Sequence, residues 1–216
     1  MSQRNEIVEI FKSRETILAL LKTQGYDVTN YEKQSISQVE VMNNHNQLDM
    51  LVTAENGKKA YVKYHLAKTA SKYHLAKTLS AKNVYQFIDD LMNLENVLQK
   101  TDDLIIIVKD EPTDSLIKVL QNIWKQDGVF VTVHATKRLL FNILDHELVP
   151  PHRIMDEEET EAFKEKYKIK NTNMIPDIGR FSPVALAIGM RPGQVCEIMR
   201  PSNTAVQVPF YRVCSA

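Results

Sequence analysis

Apolar residues recur at helical spacing between residues 5 and 24, where Ile7, Ile10, Phe11, Ile17, Leu18 and Leu21 share one face. Gly25 follows, at the position where a left-handed cap costs glycine least. The period then changes. Leu48–Thr53 and Tyr61–Leu66 read as short strands, with Asn56-Gly57 between them as a hairpin signal. Ser80 caps a helix expected to reach about Gln99, its apolar face made by Val84, Phe87, Ile88, Leu91, Leu94 and Leu98. Leu104–Val108 is an unbroken apolar run, the mark of a strand buried on both faces. Asp114–Gln126 predicts a helix packed through Leu116, Val119, Leu120, Ile123 and Trp124. After Gly128, Val129–Val133 predicts a strand, and Leu139–Leu144 a last one. Helix, two strands, helix, strand, helix, strand, strand is the order of an α/β sandwich around a mixed sheet.

The pattern breaks at Asp145–His152. Tandem prolines Pro150-Pro151 forbid a helix and favour an extended linker, so domains are expected over 1–145 and 146–216. Asp156 then caps a helix of about twelve residues, with Glu159 placed to close a capping box. Acids 156–159 at its start and lysines 164, 166, 168 and 170 at its end suit the helix dipole. Prolines and glycines from Pro176 to Gly193 mark tight turns. Gln194–Arg200 and Gln207–Cys214 predict paired strands across Pro201–Val206. Pairing Arg200 with Gln207 would set Cys196 opposite Tyr211. The fold class expected overall is α+β, in two domains.

Lys-Tyr-His-Leu-Ala-Lys-Thr occurs at 63–69 and again at 72–78. A shift of nine reverses faces in either a helix or a strand, so the two copies are not equivalent in one regular element. The first copy reads as a strand end and the second as loop, a tandem duplication at a surface tip.

Composition changes this picture little. The 216 residues carry 27 basic and 27 acidic side chains, 18 and 18 before residue 146 and nine and nine after it. That balance argues against an autonomous nucleic-acid binder. One local bias exists: seven lysines and no acid between Asn56 and Ile88. No apolar run approaches a membrane span, and the polar start, Met1–Glu6, has no export-signal core. Cys196 and Cys214 are therefore expected to be reduced.

Two sets of residues invite catalytic readings. Asp49 on one strand and Lys63 on the next match part of a metal-nuclease layout, in which two carboxylates hold magnesium and a lysine orients water. Tyr61 stands where the second carboxylate belongs, and Glu55 is out of register. A structural Asp–Lys pair is the simpler reading. His65 and His74 belong to the duplicated heptapeptide, and His146 and His152 flank the prolines without zinc-site spacing. No cysteine–histidine catalytic arrangement, phosphate loop or cofactor motif is complete. No catalytic residue, metal or cofactor is therefore assigned, and a binding or assembly role is expected.

One long motif is specific. His146-x-Leu148-Val149-Pro150-x-His152, Lys166-Tyr167-Lys168, Ile175-Pro176-x-Ile178, Pro183-Val184-Ala185, Gly189, Arg191-x-Gly193-Gln194-Val195 and Ile198-x-Arg200-Pro201-Ser202-x-Thr204-Ala205 resemble the fifth subunit shared by eukaryotic nuclear RNA polymerases. The shorter archaeal counterpart of that subunit resembles this third alone. Arg14-x-Thr16 and Gly25-Tyr26 extend the likeness weakly to the N-terminus. The resemblance implies a non-catalytic subunit of a DNA-dependent RNA polymerase. It further implies an N-terminal jaw with an inactive nuclease-like fold near downstream DNA, and an assembly domain that docks on the largest subunit. His146, Arg200, Ser202 and Thr204 are then the expected partner contacts, and Lys68, Lys72 and Lys77 the expected phosphate contacts. Ser182 departs from the aspartate often found before Pro-Val-Ala. Leu186-Ala187-Ile188 replaces bulkier residues. Such divergence suits a protist, with the protein in the nucleus, or a large DNA virus, with it in a virion or cytoplasmic factory. A metal-dependent nuclease and a free-standing regulator that kept the assembly domain are the alternatives.

Overall fold

The computed structural model describes residues 2–66 and 79–215. Most of the duplicated heptapeptides, with Lys68, Lys72, His74 and Lys77, lies outside the described residues. The chain forms two compact units, Met1–Phe141 and Asn142–Ala216.

In the first unit, helix α1 spans Ser2–Thr23 and buries Ile10, Ile17, Leu18 and Leu21. Gly25, at φ 88°, turns the chain out of it into the short strand β1, Tyr26–Asp27. Helix α2, Ile36–Asn44, lies in a stretch for which the apolar pattern gives no element. Its start is nevertheless written locally: the Ser35 hydroxyl accepts from the Gln38 backbone N–H, and the Gln38 side chain accepts from the Ser35 N–H. Strands β2, Met50–Ala54, and β3, Lys59–His65, form the expected hairpin. Gly57 turns it at φ 81°, and the Asn56 side chain accepts from the Lys58 N–H at 3.0 Å.

Helix α3 starts at the Ser80 cap but covers only Ala81–Asp89. A π-helical turn, Asp90–Leu94, follows, in which the Glu95 N–H reaches back to the Asp90 carbonyl at 2.8 Å. The extra residue in that turn rotates the expected apolar stripe. Leu91 stays buried, Leu94 points to solvent at 72% exposure, and Leu98 is buried beyond the helix. Strand β4, Asp103–Val108, is buried along its whole length. Helix α4, Asp114–Asp127, runs from a Thr113 cap to Gly128 in the left-handed conformation, and strand β5 is Phe130–Ala135.

The sheet order is β1-β2-β3-β4-β5, antiparallel to β3 and parallel from β3 to β5. The strand expected at Leu139–Leu144 does not form. Thr136–Leu139 and Ile143–Asp145 are single 3-10 turns. Leu139 is buried, while the Asn142 side chain accepts from the Leu144 N–H and starts the second turn, so the backbone is satisfied locally.

The second unit holds a four-stranded sheet, β6-β8-β9-β7. The proline linker is less extended than expected. It turns through Val149 N–H to His146 O, then enters strand β6, His152–Ile154. Helix α5, Glu157–Lys166, has the expected Asp156–Glu159 capping box but only ten residues. Strand β7 is Asp177–Gly179, and helix α6 is Pro183–Ala187. Ser182 caps α6 by accepting from the Ala185 N–H, the task an aspartate performs in that position. Strands β8, Val195–Pro201, and β9, Gln207–Ser215, are antiparallel.

Their register differs by one from the expectation. Pro201 pairs with Gln207, Arg200 with Val208, and Cys196 with Arg212 rather than Tyr211. The Ser202 N–H donates to the Val206 carbonyl at 3.1 Å, so the loop closes one residue tighter. The sheet has two cores. Cys196, Ile198 and Cys214 pack with Ala185 and Met190, while Val195 and Val213 pack with Phe163 and Ile175. Both cysteines are free thiols buried in the first of these. Burial pushes the Cys214 thiol up to about 11.

Candidate functional site

The Asp49–Lys63 pair is assembled, and its hydrogen bonds are those of a structural tie. One Asp49 oxygen accepts from the Tyr64 backbone N–H at 2.9 Å. The other accepts from the Tyr61 hydroxyl at 3.2 Å and from Lys63 Nζ at 3.3 Å. Burial first, and then the Asp49 charge, raises the Tyr61 phenol far above its ordinary value. Lys63 Nζ also lies 4.9 Å from the Phe87 ring centre. Among the described residues, no group of three or more His, Cys, Asp or Glu is placed to hold a metal.

Asp49→Asn is expected to lower the stability of this unit by about 1–2 kcal/mol, because it weakens a charged acceptor shared by three donors. Millimolar magnesium should leave the wild-type urea midpoint unmoved. A magnesium-dependent rise in that midpoint would contradict the structural role of Asp49.

The motif residues near the N-terminus also have local work. Tyr26 donates its hydroxyl to Asp103 at 2.6 Å, and Lys58 Nζ reaches the same oxygen at 2.6 Å. Arg14 is 2% exposed. Its Nε donates to Gln34 at 2.8 Å and its Nη1 to the Leu48 carbonyl at 2.7 Å, tying α1 to the chain on either side of α2. Burial holds its guanidinium below the ordinary value. In the second unit Arg180 is buried as well, its guanidinium 5.2 Å from the Phe181 ring centre, and burial pulls its pKa down to about 10.

The partner residues expected from the sequence all lie in the second unit. His146 is exposed, and its Nδ1 accepts from the Leu148 N–H at 3.2 Å. Arg200 is exposed near the tip of the β8–β9 hairpin, with its guanidinium 4.2 Å from the Phe210 ring centre. Ser202 and Thr204 form the loop itself: the Ser202 hydroxyl accepts from the Thr204 N–H at 3.3 Å and meets the Thr204 hydroxyl at 3.3 Å. Arg200, Ser202 and Thr204 thus belong to one hairpin, whereas no described hydrogen bond joins His146 to it. Val206 in the same loop is 87% exposed. The sequence pattern offers no reason to single out Phe210 and Arg212, which the observed register brings beside Arg200.

The second unit is thus a small sheet with a core on each face and an exposed hairpin that carries an arginine over an aromatic ring. Residues 141–214 match the family described as RNA polymerase Rpb5, C-terminal domain. The DNA-directed RNA polymerase subunit Rpo5 of Thermococcus kodakarensis is 47% identical over 73 residues, which are 34% of this chain and 88% of that protein. That of Pyrococcus horikoshii is 48% identical over the same length and shares. The Caenorhabditis elegans protein named DNA-directed RNA polymerases I, II, and III subunit RPABC1 is 44% identical over 75 residues, 35% of each chain. The chain belongs to the Rpb5/Rpo5 family of RNA polymerase subunits. Among the described residues, no helix is long and apolar enough to cross a membrane.

Proposed function

We propose that this chain is a non-catalytic subunit of a multisubunit DNA-dependent RNA polymerase, docked through its C-terminal unit on the largest subunit. The observation that carries this reading is the match of residues 141–214 to the family, over the unit that holds the exposed Arg200 hairpin. Arg200 supports docking because a planar guanidinium stacked on an aromatic ring presents its donors in a fixed geometry. It also stabilises its own hairpin by covering Phe210. Ser202 and Thr204 shape the loop and offer hydroxyls at its surface, and His146 is a second exposed contact. The N-terminal unit acts as a jaw beside downstream duplex. The mixed sheet of that unit, and the carboxylate pattern interrupted by Tyr61, support an inactive nuclease-like origin. Lys68, Lys72 and Lys77 are its phosphate contacts.

Affinity purification of the tagged chain at moderate salt, with stoichiometry read by mass spectrometry, tests the reading. One-to-one recovery with the two largest polymerase subunits is expected, and weaker recovery for Arg200→Ala. Recovery of the chain alone would refute membership of the complex. Alanine at the three lysines should reduce the salt dependence of duplex binding by the assembled polymerase without changing sequence preference. An unchanged salt slope would remove the lysines from the DNA path.

A further inference from the structure

We propose that the face of β8–β9 carrying Arg200, Phe210 and Arg212 is a receptor for a carboxylate, supplied by an aspartate or glutamate of the polymerase subunit that holds this chain. The inference rests on the docking reading above and adds to it the chemistry of the partner group.

The register puts Ile198 and Arg200 on one face with Val208, Phe210 and Arg212. The two guanidinium carbons lie 4.2 and 5.5 Å from the Phe210 ring centre, so one aromatic ring organises both cations. His152, which pairs with Ile198, shares this face. Its imidazole is held below the ordinary value, first by burial and then by the charges of Arg200 and Arg212, against the hydrogen bond to the Pro150 carbonyl. Two fixed positive charges thus converge on one patch.

Among the described residues, no carboxylate within salt-bridge distance faces Arg200 or Arg212. Arg212 uses Nη1 on the Asp177 backbone carbonyl at 2.6 Å, which orients it without pairing its charge with a carboxylate of the described residues. The opposite face behaves differently: Arg153 there is paired with Glu159 at 2.7 Å and with Glu197 at 3.1 Å. An arriving carboxylate meets guanidinium forks shaped for bidentate bonding. Because the stacked side chains are already ordered, little freedom is lost on binding. Exposed Val206 and Val208 supply an apolar rim.

The test compares three double variants of the full tagged chain: Arg200→Glu with Arg212→Glu, Arg200→Gln with Arg212→Gln, and Arg200→Lys with Arg212→Lys. The glutamate pair should weaken association with the large polymerase subunits by about 30-fold or more, and the glutamine pair in the same direction. Thermal melts of the free variants control for folding, and the glutamine pair decides if the glutamate pair lowers the melt. The lysine pair should remain associated. Carbodiimide treatment of that complex should give an amide between a lysine at 200 or 212 and an Asp or Glu of another subunit, identified by mass spectrometry. Unchanged recovery of the glutamate and glutamine pairs would overturn the proposal and leave docking intact, as would a recovered lysine-pair complex with no such cross-link. Loss of duplex affinity alone, with subunit recovery unchanged, would assign the patch to phosphate and equally overturn it. If the wild-type chain brings down no large subunit, the docking reading itself has failed.

Discussion

Arg14→Ala is expected to destabilise the N-terminal unit by about 3 kcal/mol. The substitution removes two short hydrogen bonds, to Gln34 and to the Leu48 carbonyl, and leaves the latter in a buried site without its charged donor. It also empties the space of a side chain that is almost wholly enclosed. Arg14→Lys should fall between wild type and the alanine variant, since a lysine keeps the charge but cannot reach both acceptors with a fixed fork. The readout is specific. The single tryptophan, Trp124, belongs to this unit and packs edge-on against Phe130, 5.8 Å away. A urea titration followed by tryptophan fluorescence therefore reports the first unit. A shift smaller than about 0.5 kcal/mol for the alanine variant would show that Arg14 is not a structural tie.

A pH-dependent loss of stability is expected from His134. It lies on β5 opposite Ile107, and burial, followed by the nearby Arg138 charge, pulls its imidazole down to about 4 from 6.5. Above pH 6.5 the residue is neutral in both states, and its native contribution is complete. Between 6.5 and 4 the unfolded chain binds a proton that the native chain does not. Stability therefore falls as the pH falls, by up to about 3 kcal/mol across that window. His134→Gln removes this component. Carboxylates titrate in the same window, so the quantity to plot is the difference in stability between wild type and variant against pH. That difference should decline from pH 7 to pH 4. A flat difference would mean that His134 is readily protonated in the native state.

Much of the fold could be read from the chain because local chemistry specifies it. The apolar stripe of α1, the Asn56-Gly57 turn, the all-apolar Leu104–Val108 and the Asp156–Glu159 capping box each depend on residues a few positions apart. Helix α2 shows a limit of reading by periodicity. Its Ser35–Gln38 box is as local as the later one, but the helix buries only Val39, too little to make an apolar stripe. The π-turn after α3 was hidden for the opposite reason: the Val84–Leu98 pattern fits a continuous helix, and the backbone departs from it at Asp90.

The sequence by itself determined the family and the residues of the β8–β9 hairpin. Tertiary structure decided which of those residues share a face. A one-residue change of register replaces Gln207, Pro209 and Tyr211 with Val208, Phe210 and Arg212 beside Arg200, because side chains alternate along a strand. Burial of Arg14, the closing of Asp49 by Tyr61 and Lys63, and the stacking of two arginines on Phe210 likewise join residues that chain spacing does not relate. Capping and turn formation are fixed by neighbours in the chain. Register and charge pairing are fixed only when distant segments close on one another.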